Sequence, residues 1–131
     1  VHESLRLHPA SPEAWRTATD VIALPGAGPI AIGDRVELDL YLANRDVSVF
    51  GAEADRFDPD RSVPDGVLPS GLSFGIGLHA CLGRELDGGT LVRAGTDPDS
   101  HQYGIVAMLI ARLFELGARS DPDDPPTPDT R

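Results

Sequence analysis

The one cysteine of this chain, Cys81, lies in Phe74-Gly75-Ile76-Gly77-Leu78-His79-Ala80-Cys81-Leu82-Gly83, a glycine-punctuated loop that delivers a thiol to the mouth of a predicted helix. One thiolate cannot complete a structural zinc site, which takes four protein ligands. It suffices as the axial ligand of a haem iron whose other donors are porphyrin nitrogens. Gly75 and Gly77 open backbone conformations closed to other residues, and Gly83 removes a side chain where a helix must lie against a flat macrocycle. A helix beginning at or just after Cys81 is expected to point unpaired amides and a positive dipole end at the sulfur, favouring thiolate over thiol. An isolated cysteine is more often a small buried hydrophobe; the residues around this one argue otherwise.

The loop resembles the haem-binding segment of the cytochrome P450 family, the haem-thiolate monooxygenases, with Phe74, Gly75, Gly77, His79, Cys81, Leu82 and Gly83 in register without a gap. Three further segments carry the resemblance in the family's order, and together they span most of residues 1–86. Glu3-Ser4-Leu5-Arg6 is similar to the Glu-x-x-Arg pair, two opposite charges on one helical face. Phe50 to Arg61, with Ala54-Asp55-Arg56-Phe57, resembles the meander, in which an arginine joins that pair; the resemblance implies Arg56 as the third member. Ala54 and Asp55 stand where many members have Pro and Glu. The implied role is architectural, a charged triad of Glu3, Arg6 and Arg56 holding the Cys81 loop to the first helix. Trp15 to Asp20 is similar to the stretch in which bacterial members place an arginine on a haem propionate, and Arg16 is expected to do so, its guanidinium matching a carboxylate in shape. His79 is expected to serve the other propionate. The ordinary readings beside these are an exposed ion pair, a solvent-facing arginine and an unpartnered loop histidine. Asn44-Arg45-Asp46 also matches the family, with turn and packing roles only.

The resemblance implies an α+β, mainly α cytochrome P450 fold, of which this chain carries the C-terminal part: a Glu-x-x-Arg helix, a small β-sheet, the meander coil, the cysteine loop and final helices. Residues 1–119 are expected to form this haem-ligand portion and 120–131 a flexible acidic, proline-rich tail. Val1 stands in place of an initiator methionine, so the chain is expected to be cut from a longer one. The missing upstream part would carry most of the substrate pocket, and these residues alone are expected to be inactive. The intact protein is expected to be a monooxygenase binding haem b, iron protoporphyrin IX, with Cys81 as axial ligand. It would use molecular oxygen, or peroxide as some relatives do, on an unknown small organic substrate. A ferredoxin or flavin-type redox partner is implied; Arg84 is a candidate contact for an acidic one, and a solvated surface arginine is its more common reading. The other readings are a non-catalytic haem-binding or structural remnant, and a haem-free interaction module.

Composition sets outer limits. With 131 residues, 40% hydrophobic and 24% charged, the chain has ordinary globular composition and enough length for one core. Its 21 acidic against 11 basic residues give a formal charge of -10, and lysine is absent, which argues against a nucleic-acid or anionic-membrane partner, since phosphate binding needs clustered cations. One cysteine excludes an internal disulfide and suits a reducing cytoplasm. No apolar run approaches the roughly 20 residues that span a bilayer. Abundant Ala, Arg, Asp and Pro suggest a bacterial source with a high-GC genome.

Several elements must position these residues. A helix is predicted over residues 1–8, stopping before Pro9. From Arg16 to Leu42 the pattern is sheet-like: strands over 17–24, 30–32 and 36–42, with a turn at 25–29 and another at Gly33-Asp34. In the last strand Val36, Leu38, Leu40 and Leu42 share one face and Glu37, Asp39 and Tyr41 the other. A helical turn is expected at 43–47, and a long ordered coil over 50–73 whose task is to hold the ligand loop. Beyond Cys81 the resemblance implies a continuous helix, and here the sequence departs from it: Arg84 to Asp87 runs into Gly88-Gly89, and a polar stretch from Arg93 to Ser100 follows. Gln102 to Leu116 reads as a packing helix, with Val106, Leu109, Ile110, Leu113 and Phe114 on its core face and Gly117 as C-cap.

Overall fold

Pro9 ends the first helix, α1 (His2–Leu7): His8, the residue before it, leaves the helical region at φ -129° and ψ 67°, since the proline ring disfavours helical backbone there. The computed structural model describes residues 1–92 and 95–125. After α1 the chain enters β1 (Glu13–Thr17), which pairs antiparallel with β2 (Arg35–Asp39) in the register Glu13↔Asp39 to Thr17↔Arg35. This pair is the sheet, and with the helices it makes an α+β arrangement.

The expected strand over 17–24 is replaced by a single bridge, Ile22↔Ile30, that closes the turn around Gly26. The strand that does form, β1, lies before it. Nor does the 36–42 strand continue to Leu42, because the Asp39 carboxylate accepts the Leu42 amide at 2.8 Å and caps a helix, α2 (Leu40–Ala43). One capping bond satisfies a free helical donor, a local gain that outweighs the alternation of Leu40 and Leu42. Asp46 repeats the device on Ser48 at 2.8 Å and opens α3 (Val47–Phe50).

Residues 51–76 run without strand or helix, and the coil leads into a one-turn 3₁₀ helix, Gly77–His79. Among the described residues the buried apolar ones are Leu7, Ala18, Phe50 and Ala54, and polar Glu3, Arg6, Asn44 and Ser70 are buried as well. Such groups are tolerated inside only when paired.

The chain divides into two compact units, one through Cys81 and one from Leu82 onward. In the second unit α4 (Arg84–Asp87) is 4 residues long and begins three positions after Cys81. The interruption expected at Gly88-Gly89 is present, with Gly88 as the C-cap of α4. The chain then leaves at Gly89 and returns at Gly104: Gly89 bridges Tyr103, and the Thr90 amide donates to the Gln102 carbonyl at 3.0 Å. The backbones are pinched so closely that a Cβ on Gly104 would lie 2.2 Å from the Asp87 carbonyl oxygen. Within that excursion Arg93 and Ala94 of the polar stretch lie outside the described residues.

Helix α5 (Ile105–Glu115) follows and ends as expected near Gly117, which adopts φ 73°. The Ala118 amide donates to Leu113 and the Gly117 amide to Phe114, both at 2.9 Å, the paired bonds of a Schellman motif. The expected burial of its apolar face is corrected: no α5 residue is buried, and Leu109, Ile110, Leu113 and Phe114 are exposed. Of the tail, residues 120–125 are exposed and without helix or strand, and 126–131 lie outside the described residues.

Candidate functional site

The spacing of three that puts Glu3 and Arg6 on one face of α1 also buries both, and burial makes their pairing obligatory. Arg6 donates from Nε to Glu3 Oε2 and from Nη2 to Oε1, each at 2.7 Å, a bidentate fork with Arg6 at 0% exposure. The third member is Arg61, not Arg56. Arg61 Nε donates to Glu3 Oε1 at 3.1 Å, and its Nη groups reach the carbonyls of Phe50, Glu53 and Arg56 at 2.6–2.8 Å. The Arg56 side chain is exposed and lies 4.0 Å from Glu53. The coil turns over Asp58-Pro59-Asp60, so the guanidinium five residues further on is the one that points inward, while Arg56 contributes its carbonyl.

Burial alone would make Glu3 harder to ionise, but donors from Arg6, Arg61 and the Asp58 amide outweigh it and hold its carboxyl down at about 2. Arg6 also lies over the Phe50 ring, 4.7 Å from its centre, and donates to the Asn44 carbonyl. Arg45, assigned only a packing role from sequence, donates to the Leu7 carbonyl at 2.6 Å, pairs with Asp55 at 3.1 Å and stacks on Tyr41 at 3.6 Å.

The Cys81 loop is closed by its own backbone. The Cys81 amide donates to the Phe74 carbonyl at 2.7 Å, and the Gly75 amide to Leu72 at 2.8 Å. Gly75 at φ 64° is required twice over, because a Cβ there would also lie 2.8 Å from the His79 carbonyl oxygen. Gly77 needs only its backbone freedom, at φ 61° with open space around it. Cys81 is exposed, and so are Ile76, Leu78 and His79, while Phe74 is half-buried. Gly83 is the N-cap of α4.

Arg16 sits on β1 opposite Val36, half-buried, with Nη1 donating to the Trp15 carbonyl at 2.7 Å. Among the described residues no hydrogen bond or ion pair joins Arg16 to His79 or either to Cys81. Arg84 pairs at the surface with Glu85 at 3.8 Å.

Residues 1–86 match the sequence profile of the family described as Cytochrome P450. The chain belongs to the cytochrome P450 family. It is 41% identical over 127 residues to a self-sufficient cytochrome P450 monooxygenase, CYP505E3, of Aspergillus terreus, covering 94% of this chain and 11% of that protein. Among solved structures it is similar to CYP164A2 of Mycobacterium smegmatis, crystallised with econazole, at 38% identity and TM-score 0.53 over 63% of this chain and 19% of that one. An unusual cytochrome P450-like monooxygenase of microbial secondary metabolism superposes on 96% of this chain and 29% of its own, with 27% identity and TM-score 0.67. The P450 likeness thus extends past Cys81 into the second unit. The chain spans 11–19% of the length of the first curated relatives it matches.

The donor set fits the cofactor of this family. No group of three or more His, Cys, Asp or Glu able to hold a metal occurs among the described residues. A lone exposed thiol flanked by exposed apolar side chains suits an iron whose in-plane donors come from a macrocycle, and the apolar residues suit the macrocycle's face.

Sequence reasoning missed Arg61, Asn44 and Ser73. Asn44 is fully buried and Ser73 half-buried. The Asn-Arg-Asp stretch was the available signal for Asn44; for Arg61 no spacing rule applies in a coil.

Proposed function

We propose that this chain supplies the haem-ligand portion of a P450 monooxygenase, with the Cys81 thiolate as axial ligand of haem b. The observation that carries this reading is the presentation of Cys81: an exposed thiol on a loop closed by its own backbone bonds and tied to α1 through Asn44 and Ser73. A loop so anchored holds its sulfur at a set place while leaving it open to a ligand. When bound, the haem supplies oxygen activation, and a thiolate ligand pushes electron density toward the iron.

Arg16 and His79 are the proposed propionate partners, and both are accessible for that role, Arg16 half-buried and His79 exposed. A ferredoxin or flavin-type partner would deliver electrons, and hydroxylation of a small organic substrate is the proposed reaction. Many large apolar side chains are exposed, among them Trp15, Leu24, Ile32, Leu42 and Phe114, which supports a larger body that covers them. No described helix is long and apolar enough to cross a membrane. A cytoplasmic setting belongs to this proposal and rests on the single cysteine.

The test is the reduced, carbon-monoxide-bound absorption spectrum of the haem-loaded full-length protein beside Cys81→Ser. A strongly red-shifted Soret band that disappears in the variant supports thiolate ligation by Cys81. The same band in both proteins would sink it.

A further inference from the structure

Asn44 is fully buried, and three of the four hydrogen bonds open to its side-chain amide are made. Nδ2 donates to the Arg6 carbonyl at 3.0 Å and to Ser73 Oγ at 2.9 Å, and Oδ1 accepts the Leu72 amide at 2.7 Å. The Ser73 hydroxyl in turn donates to the Leu5 carbonyl at 2.7 Å. Gly71 makes room for this, since a Cβ there would lie 2.3 Å from Asn44 Oδ1. One amide therefore joins α1 to the first residues of the segment that ends at Cys81.

The relay beyond Asn44 is short and covalently stiff. Leu72 is held by its amide and accepts from Gly75, and Phe74, next after Ser73, accepts the Cys81 amide. By contrast, the charge cluster of Glu3, Arg6 and Arg61 grips the coil over 50–61 and makes no hydrogen bond to residues 71–81.

We propose that Asn44 is a positioning residue, the polar joint that fixes where the Cys81 loop stands relative to α1 and so where the ligand sulfur is offered. This rests on the reading of Cys81 as the haem ligand. An aspartate in its place keeps the acceptor for Leu72 but cannot make either donated bond, and an alanine loses all three.

The experiment compares Asn44→Ala, Asn44→Asp, Ser73→Ala, Asp46→Ala and Cys81→Ser in the haem-loaded full-length protein. It reads the ratio of non-thiolate to thiolate bands in the reduced carbon-monoxide spectrum, with the melting temperature measured in parallel. Asn44→Ala is expected to raise the ratio about tenfold, as befits a buried partner left unsatisfied, with a smaller rise for Asn44→Asp. Asp46→Ala, which removes the cap of α3 and none of the Asn44 bonds, lowers the melting temperature and leaves the ratio unchanged. A rise in Asp46→Ala equal to that in Asn44→Ala would overturn the proposal, because general destabilisation would then account for both. An unchanged ratio in both Asn44 variants, with the band lost in Cys81→Ser, overturns the role of Asn44 and leaves the ligand assignment standing. A thiolate band retained in Cys81→Ser overturns the assignment and this proposal with it. If the Asn44 variants do not fold, Ser73→Ala decides: a raised ratio supports the joint and an unchanged one overturns it.

Discussion

Glu3 accepts four hydrogen bonds from three partners, and its charge is what those partners require. Its carboxyl, held near 2 instead of 4.5, binds fewer protons in the folded than in the unfolded protein between those values. Stability from this group is therefore full above about pH 4.5 and is lost as pH falls toward 2. Unfolding midpoints measured from pH 6 down to about 2 should show this loss, and Glu3→Gln should flatten it. The two meander arginines separate sharply at this scale. Arg61→Ala leaves Glu3 buried with one charge partner fewer and should cost roughly 3–5 kcal/mol in denaturant unfolding. Arg56→Ala removes an exposed pair at 4.0 Å and should fall within about 0.5 kcal/mol. Equal effects would return the third place in the cluster to either residue.

Elements are decided by contests between local forces, and the glycines show which ones win. Gly77→Ala pays only for a left-handed backbone and should cost about 1 kcal/mol. Gly75→Ala adds a collision with the His79 carbonyl, so the loop must deform, and it should depress thiolate-bound haem where Gly77→Ala largely spares it. Comparing their reduced carbon-monoxide spectra checks the order. In the second unit Gly104 has ordinary backbone angles, φ -73° and ψ 150°, yet its missing Cβ is what lets the excursion from Gly89 close. Gly104→Ala should therefore destabilise by about 1–3 kcal/mol through steric overlap alone, visible as a lower melting temperature. Asp39 shows a different contest, in which a capping carboxylate bends the chain into helix where apolar alternation pointed to strand.

For the whole molecule, the exposure of apolar surface matters more than the small core. Leu109, Leu113 and Phe114 lie open on α5, so Leu113→Glu should change the unfolding midpoint of this chain by no more than about 0.5 kcal/mol. In the full-length protein the same change should lower the melting temperature clearly if that face is covered there. Equal, negligible effects in both would show that the face stays open.

Much was legible in the residues themselves. The α1 helix and its stop at Pro9, the glycines of the Cys81 loop, the long coil and the C-cap at Gly117 all follow from dihedral preferences and spacing, which are properties of neighbours in the chain. The cysteine loop and the Glu3–Arg6 pair were legible for the same reason, since each lies within a few consecutive residues. Tertiary structure alone decided the rest. Arg61 and Arg56 are equivalent cations in a coil without periodicity, and only the path of residues 53–61 turns one inward. Asn44 reads as a turn residue until Arg6, Leu72 and Ser73, distant in sequence, close around it. The apolar stripe of α5 states what the helix needs to bury, but whether anything covers it depends on surfaces contributed from elsewhere. Sequence spacing encodes contacts between near neighbours; partners tens of residues apart meet only when the chain has folded.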